Sequence, residues 1–283
     1  MSFDNMSEEK ITAKDIVSLK NKRKITMLTA YDYPLASLID RAGIDIILVG
    51  DSVANVVLGL DSTTKVGMPE MLHHAKAVTR AVRHALVIGD MPYESYQLNP
   101  EEALMNARRF INEAGCGCIK LEWFPRCLEV SEKLIQAGIE VMGHIGLTPQ
   151  TADSLGGFKV QGKDAEAAQR LIEQAKALEK LGCFSIVLEC VPDKIAQIIT
   201  QKLKIPTIGI GAGLHCDGQV LVTYDMLGLF ERFTPKFVKK YLNLSPLILK
   251  AVEEYKNDVL QEKFPGQEHS FAIKENELSK LEI

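Results

Sequence analysis

Four segments of the chain share one boundary, in which a helical pattern ends in glycine and an apolar run follows at once. The glycines are Gly43, Gly115, Gly138 and Gly182, within RAGIDIILVGD, EAGCGCIKLE, QAGIEVMGH and KLGCFSIVLE. Glycine readily adopts the left-handed conformation that closes a helix. The runs after it are rich in Ile, Val and Leu, as in parallel strands covered on both faces. The pattern therefore predicts helices that alternate with buried parallel strands.

The same patterning predicts about eight strands and the helices between them. The strands are expected near Ile25–Ala30, Ile44–Val49, Leu86–Gly89, Cys118–Leu121, Glu140–Gly143, Ser185–Leu188, Thr207–Ile210 and Val220–Thr223. The helices are expected near 33–42, 69–84, 126–137, 164–181 and 193–203, with another that begins at Pro100 after an Asn99 cap. Eight β/α repeats predict an α/β fold, the (β/α)₈ TIM barrel, with a doubly wound open sheet as the alternative. The connection between the last two predicted strands is too short for a full helix. This is the part of the pattern that fits a barrel least well.

Composition and charge narrow the class of protein. The chain is 46% hydrophobic and 25% charged, as in an ordinary globular protein, and no linker divides it, so residues 1–283 are expected to form one domain. Short tails are expected near 1–10 and 262–283. A formal net charge of −4 gives no reason to expect nucleic acid or an anionic membrane as a partner.

Neither a membrane span nor a secretory signal is expected. No apolar run approaches the roughly 18 residues that a span needs, and the first ten residues, MSFDNMSEEK, lack an apolar core. We therefore expect a cytoplasmic protein. The six cysteines form no C-x-x-C pair and are expected to be buried free thiols.

Residues able to carry charge end five of the predicted strands. They are Asp51, Asp90, Glu122, His144 and Glu189. In a barrel these strand ends converge on one mouth, where catalytic groups are found. Strand alternation places Lys120 on the same side as Glu122 and predicts that Cys116 and Cys118 lie deeper in the barrel.

Each of these residues also has a simpler structural explanation. An Asp after a strand can cap the next helix, Lys120 and Glu122 can form a structural ion pair, and a single His is more often hydrogen-bonded than catalytic. The four carboxylates together weigh against those explanations, because buried like charges repel unless a cation lies among them. An oxygen-rich set without a cysteine pair favours Mg²⁺, with Mn²⁺ or Co²⁺ as substitutes.

A glycine-rich segment, IPTIGIGAGLHCDGQVLV, requires a separate decision. Gly209, Gly211 and Gly213 resemble a nucleotide loop, but the dinucleotide motif must run from a strand into a helix. Here the turn signal Asp217-Gly218 precedes the strand-like QVLV. We therefore reject a Rossmann site and expect a tight loop over the barrel mouth, with amides that can bind an anionic or carbonyl group.

Segments over nearly the whole chain, in one collinear order, resemble the ketopantoate (3-methyl-2-oxobutanoate) hydroxymethyltransferase family. They are LTAYDYPLA (28–36), LVGDS with VVLG and DST (48–64), GDMPYESYQ (89–97), KLE (120–122), GHIGLTPQ (143–150), LEC and the following proline (188–192), IGIGAG with DGQVLV and DMLG (208–228), PKFVKKY (235–241) and HSF (269–271). One departure is Trp123-Phe124, where the family usually has glycines. These bulky residues are expected to narrow the mouth or to alter loop motion.

The resemblance implies a barrel of the phosphoenolpyruvate/pyruvate-type superfamily. It also implies transfer of a hydroxymethyl group from 5,10-methylenetetrahydrofolate to 3-methyl-2-oxobutanoate, through a Mg²⁺-stabilised enolate formed by a Glu base. The product would be 2-dehydropantoate, in pantothenate and coenzyme A biosynthesis. Members of the family are large homo-oligomers, typically decamers that exchange C-terminal helices, so the same assembly is expected here.

Residue roles follow from the same resemblance. Asp51 and Asp90 look like direct Mg²⁺ ligands, and Glu122 like a carboxylate that holds a metal-bound water. The substrate-binding residues implied are Asp51, Ser52, Asp90 and Lys120, and the catalytic residues implied are Glu189 as proton acceptor, Lys120 and His144.

Two other functions stay open at this point. A lyase or mutase of the phosphoenolpyruvate-type barrels would also chelate Mg²⁺ through an α-keto acid, although GHIGLTPQ and DGQVLV together favour hydroxymethyl transfer. A non-catalytic scaffold barrel would leave the strand-end charges mutually satisfied as ion pairs.

Overall fold

The computed structural model describes residues 9–151 and 159–281. Eight parallel strands close into a barrel in chain order, with β1 paired to β8. The strands are β1 Ile25–Thr29, β2 Ile46–Val49, β3 Leu86–Asp90, β4 Cys118–Glu122, β5 Val141–Gly146, β6 Ser185–Glu189, β7 Thr207–Ile210 and β8 Gly218–Leu221. The predicted (β/α)₈ barrel is confirmed, and the open-sheet alternative is wrong.

Most of the barrel helices lie where the sequence predicts them. The helices are α1 Ala13–Ser18, α2 Tyr33–Arg41, α3 Val53–Val56, α4 Met68–Ala81, α5 Glu94–Gln97, α6 Pro100–Asn112, α7 Cys127–Gln136, α8 Ala165–Leu181, α9 Asp193–Lys202, α10 Thr223–Met226, α11 Leu244–Leu260 and α12 Glu275–Leu278. Residues 211–217, which join β7 to β8, form no helix. This is the short last crossover that the sequence predicts.

Strand alternation divides the core into two clusters. The inner cluster fills the barrel with side chains such as Met27, Leu48, Ile88, Cys118 and Met142. The alternate positions of the same strands, among them Ile47, Val49, Ile119, Leu121 and Val141, belong to the outer cluster with the helices. Because the side-chain period of a strand is two, β4 directs Cys118, Lys120 and Glu122 inward, from the base of the barrel to its mouth.

Two outward-facing glycines allow helices to approach the strands closely. A Cβ atom at Gly89 would lie 2.3 Å from Cδ1 of Phe110 on α6, and one at Gly143 would lie 2.8 Å from Cδ1 of Leu178 on α8. Both distances are shorter than van der Waals contact. The missing side chains therefore allow α6 to pack closely on β3 and α8 to pack closely on β5.

Two sequence predictions need correction. Cys116 precedes β4 and packs in the outer cluster, so only Cys118 of the two thiols lies in the barrel interior. The segment after β7 does not stay over the mouth. The Lys24 ammonium, just before β1, donates to the carbonyl of Leu214 at 3.3 Å, and Asp217 pairs with Lys20 at 2.6 Å, so most of this loop reaches the N-terminal end of the barrel.

Other expectations fare differently. All six cysteines are free thiols, as predicted, and five of them are buried, whereas Cys190 is only half-buried. The segment after β7 leads into a strand, which agrees with rejection of a Rossmann site. Within the part of the chain that the structure describes, no helix is long and apolar enough to cross a membrane. Of the predicted tails, residues 1–8 and 282–283 lie outside the described residues. The single-domain division stays a prediction.

Gly89→Ala should destabilise the fold by about 2 kcal/mol, because the new methyl group overlaps the Phe110 ring and forces α6 outward. Urea denaturation measures the loss. The matched test is Gly89→Ala combined with Phe110→Ala, which removes the ring that the methyl group meets. The double variant should lose less stability than the sum of the single variants, and strict additivity would contradict a direct clash.

Candidate active site

The predicted strand-end residues come together at the C-terminal end of the barrel. Asp90, Glu122 and Glu189 are the last residues of β3, β4 and β6. Asp51 follows β2 after one glycine, and His144 lies within β5. The register sets Asp90 beside Lys120 and Glu122 beside His144 on neighbouring strands. We call Asp51, Ser52, Asp90, Lys120, Glu122, His144 and Glu189 the mouth residues.

Lys120 and Asp90 form a buried ion pair. The Lys120 Nζ atom lies 2.6 Å from Oδ1 of Asp90, and both side chains are almost completely buried. Burial lowers the pKa of Lys120, but the carboxylates of Asp90, Glu122 and Asp51 outweigh it and raise that pKa, so the ammonium stays charged. Burial raises the pKa of Asp90, and the nearby Asp51 and Glu122 raise it further. Lys120 lowers this pKa but does not outweigh them.

His144 lies between two carboxylates. Its Nδ1 atom is 3.4 Å from Oε1 of Glu122, and its Nε2 atom is 3.2 Å from Oε2 of Glu189. Neither ring nitrogen is angled for a hydrogen bond to a described residue, so both contacts are mainly electrostatic. Burial and Lys120 lower the pKa of His144, whereas Glu122 and Glu189 raise it to about 9. The imidazole is therefore an imidazolium near neutral pH.

Asp51 and Ser52 do not act as ordinary helix caps. The Ser52 side chain stands at the start of α3 without a capping hydrogen bond. Its Oγ atom lies 2.8 Å from the hydroxyl of Tyr31. The backbone N–H of Asp51 donates to Oδ2 of Asp90 at 3.2 Å. The capping explanation therefore fails for Asp51, whose carboxylate accepts from a glutamine instead.

That glutamine, Gln150, and two tyrosines are site residues that the sequence reasoning missed. Gln150 contacts both Asp51 and Glu122, Tyr96 donates to Gln150, and Tyr31 contacts Ser52. All three lie within segments that carry the family resemblance, GHIGLTPQ, GDMPYESYQ and LTAYDYPLA. Their position in those segments was the available signal, because an amide or a phenol alone does not indicate a role.

Trp123 and Phe124 lie outside the barrel interior. Phe124 belongs to the outer cluster, Trp123 packs against it, and the Phe124 ring meets the edge of Tyr96 at 5.1 Å between centroids. Both side chains also line a cavity with Gly146 and Thr148, at the end of β5, so the expectation that they narrow the mouth stays a prediction. Their effect on loop motion stays a prediction.

Sequence comparison places the chain among known enzymes. A profile of the family described as ketopantoate hydroxymethyltransferase matches residues 10–267. The chain belongs to this family. Among its relatives, the 3-methyl-2-oxobutanoate hydroxymethyltransferase of Syntrophomonas wolfei is 56% identical over 93% of this chain and 95% of its own length. The enzyme of the same name from Syntrophobacter fumaroxidans is 53% identical over 97% of both chains.

Solved structures support the barrel assignment. The phosphoenolpyruvate phosphomutase of Streptomyces platensis subsp. rosaceus has a TM-score of 0.60 at 14% identity, over 95% of this chain and 94% of that one. A 2,3-dimethylmalate lyase of the phosphoenolpyruvate mutase/isocitrate lyase superfamily has a TM-score of 0.57 at 14% identity, over 95% and 93%. The predicted family, its hydroxymethyltransferase class and the (β/α)₈ barrel are confirmed, so the scaffold alternative is wrong. The phosphoenolpyruvate-type superfamily stays a prediction.

The mouth of this ketopantoate hydroxymethyltransferase family member fits a divalent cation. Its four carboxylates exceed the positive charges of Lys120 and His144, and Oε1 of Glu122 is buried without a hydrogen bond. Within residues 9–151 and 159–281, no three His, Cys, Asp or Glu side chains group closely enough to share one ion. Mg²⁺ usually takes one or two protein carboxylates and keeps several waters. The mouth therefore fits Mg²⁺ better than an ion that needs a full protein cage.

Two amide substitutions in the mouth should have opposite effects on stability in protein stripped of divalent cations. Burial raises the pKa of Glu122, so stability is lost as the pH rises through that folded-state value. Glu122→Gln should therefore be more stable than wild type near pH 8, with a smaller gain near pH 5. Asp90→Asn should instead cost about 3 kcal/mol, because Lys120 loses its buried partner.

Urea denaturation in excess chelator at both pH values measures these differences. A Glu122→Gln variant that is less stable than wild type near pH 8 would contradict the assignment of surplus negative charge to the mouth.

Proposed function

We propose that the protein transfers a hydroxymethyl group from 5,10-methylenetetrahydrofolate to 3-methyl-2-oxobutanoate, giving 2-dehydropantoate. The observation that carries the proposal is the convergence of the mouth residues, with one buried lysine, one charged histidine and four carboxylates at the end of the barrel. Family membership suggests the two substrates. The positive charges, the partly exposed Glu189 and the carboxylate oxygens of the mouth support the proposal, because the reaction requires fixed charge, a base and cation ligands.

Asp51 and Asp90 would hold Mg²⁺ directly, and Glu122 would hold it through a water molecule. Such an ion supplies a positive centre that polarises the substrate ketone and offsets negative charge on its oxygen. Asp51 uses only Oδ2 in its side-chain hydrogen bond. Both oxygens of Asp90 already accept hydrogen bonds, from Lys120 and from the Asp51 amide, which fixes the orientation of that carboxylate.

Glu189 is the proposed base. Its side chain is 16% exposed, whereas those of Asp90 and Glu122 are 1% exposed, so it is the carboxylate of these three that a substrate reaches most readily. It would take the proton from C3 of the keto acid and leave the electron pair of the C–H bond on the substrate as an enolate. His144, 3.2 Å from Oε2, would orient the carboxylate.

The remaining mouth residues bind the substrate and balance its charge. The Lys120 ammonium provides a fixed positive charge for the developing oxyanion. Ser52, held by Tyr31, would donate a hydrogen bond to a substrate oxygen. Water hydrolyses the two C–N bonds of the methylene bridge of the folate, so that tetrahydrofolate leaves with the two protons of the water and the methylene carbon becomes formaldehyde. The enolate carbon then forms a C–C bond to that carbon, and the resulting alkoxide takes the proton held by Glu189.

Glu189→Gln should slow exchange of the C3 hydrogen for deuterium by at least about 10²-fold, because the amide cannot accept the proton. The measurement is NMR of 3-methyl-2-oxobutanoate in D₂O with Mg²⁺ and without folate. Glu173→Gln, an exposed change on α8, is the matched control and should exchange at the wild-type rate.

Each part of the proposal can fail separately. Full exchange by Glu189→Gln would contradict its role as base. Exchange by wild type without a folate-dependent product would contradict hydroxymethyl transfer. Turnover in excess chelator equal to that with Mg²⁺ would contradict the cation.

We also propose that the chain forms a homo-oligomer through α11, with the decamer of the family as the expected size. Helix α11 has no buried residue. Large apolar side chains along it are at least 42% exposed, namely Leu247, Ile248, Leu249, Val252, Tyr255, Val259 and Leu260. Ile248, Val252, Tyr255 and Val259 follow a spacing of three or four residues and so share one face. An apolar face of this kind is typical of a protein–protein contact.

Ile248→Glu combined with Val252→Glu should reduce the assembly to smaller species, because two charges would be buried at the contact. Light scattering after size-exclusion chromatography measures the mass. Glu253→Lys, an exposed charge reversal on the same helix but off this face, is the control and should leave the mass unchanged. An unchanged mass of the double variant would contradict a contact through α11.

A further inference from the structure

A buried amide links the elements of the mouth without a role in the chemistry above. Gln150, on the segment after β5, is 4% exposed. Its Nε2 atom donates to Oδ2 of Asp51 at 2.9 Å and to the carbonyl of Met91 at 3.1 Å. Its Oε1 atom accepts from the hydroxyl of Tyr96 at 2.5 Å, and its backbone N–H donates to Oε2 of Glu122 at 3.0 Å.

The chemistry of the partners determines the orientation of the amide. A backbone carbonyl can only accept, so the NH₂ group of Gln150 must face Met91 and, with it, Asp51. The amide oxygen then faces Tyr96, whose hydroxyl must donate. Burial raises the pKa of Tyr96, and Glu122, Asp90 and Asp51 raise it further, so the phenol keeps the proton that it donates.

These bonds restrict the Asp51 carboxylate to one orientation. Oδ2 accepts from Gln150, the backbone N–H is bound to Asp90, and no described residue donates to Oδ1. Without the amide, the carboxylate could rotate about its side-chain torsions within the mouth. A ligand oxygen that is already oriented binds a cation at lower entropic cost.

We propose that Tyr96 and Gln150 act in series to position Asp51 for a divalent cation, with Gln150 as the positioning residue and Tyr96 as the group that fixes its amide. This inference rests on the cation site proposed at Asp51 and Asp90. Neither residue touches the substrate carbon in the proposed reaction. Both would act through Asp51. Gln150 also contacts Glu122 through the hydrogen bond that its backbone N–H donates.

Two variants test the series. Gln150→Met keeps the size of the side chain and the backbone donor to Glu122 but removes the amide. Tyr96→Phe removes only the hydroxyl. Gln150→Met should weaken Mn²⁺ binding by about 10-fold to 100-fold, and Tyr96→Phe should weaken it by a smaller factor. Electron paramagnetic resonance of free Mn²⁺ measures the affinity of the purified protein without keto acid or folate.

A double variant separates positioning from packing. If Tyr96 acts through Gln150, Tyr96→Phe should cause no further loss of Mn²⁺ affinity in the Gln150→Met background. Tyr224→Phe removes the hydroxyl of a half-buried tyrosine outside the mouth residues, whose partner is Asp32, and is the matched control. It should leave Mn²⁺ affinity unchanged.

The outcomes distinguish this inference from the proposed function. If wild type binds Mn²⁺, Asp51→Asn loses it, and Gln150→Met and Tyr96→Phe bind as wild type does, the positioning role is overturned and the cation site stands. If Asp51→Asn binds Mn²⁺ as tightly as wild type, the cation site and the positioning role both fail. If Gln150→Met does not fold, Tyr96→Phe alone decides, and a wild-type affinity in that variant overturns the series.

Discussion

Surplus negative charge, buried at one end of a closed barrel, is the constraint on which the mouth depends. Asp51, Asp90 and Glu122 are all buried, and each ionised carboxylate there gives up its hydration. Lys120 and His144 offset part of that cost, but they provide two positive charges against four carboxylates. Hydrogen bonds from Gln150 and from the Asp51 amide compensate further without adding charge. A divalent cation would neutralise the negative charge that remains.

The barrel makes this concentration of charge possible because its strands cannot shift independently. A slip of one residue in β4 would turn Lys120 and Glu122 outward, away from Asp90 and His144. The outer cluster opposes such a slip, since Ile119 and Leu121 would then leave the helix side. The apolar positions of the strand therefore determine where its charged positions lie.

The sequence was most informative where the chain is periodic. The glycine that closes each helix and the apolar run after it located the strands, and alternation then put Lys120 and Glu122 on one side. Cys116 was misplaced because alternation was extended to a residue that precedes the strand. Gln150 and Tyr96 could not be assigned roles, because Gln150 lies in the connection after β5, where no period relates side-chain direction to position, and Tyr96 in the four-residue helix α5, which is too short to show one. Residues 211–217 were placed over the mouth for the same reason.

The two ends of the barrel show what separates a site from a structural ion pair. At the N-terminal end, Asp45 is buried yet accepts from Arg23 and from both donors of Thr26. Burial alone would raise the pKa of Asp45, but these partners lower it below its usual value. At the mouth, burial raises the pKa of Glu122 although His144 lies beside it.

The two carboxylates therefore shift in opposite directions, because hydrogen-bond donors outweigh burial at Asp45 and burial outweighs His144 at Glu122. A fold that pairs its carboxylates so completely at one end has the means to do so at the other. The unmatched charge at the mouth therefore supports the proposed cation and substrate site.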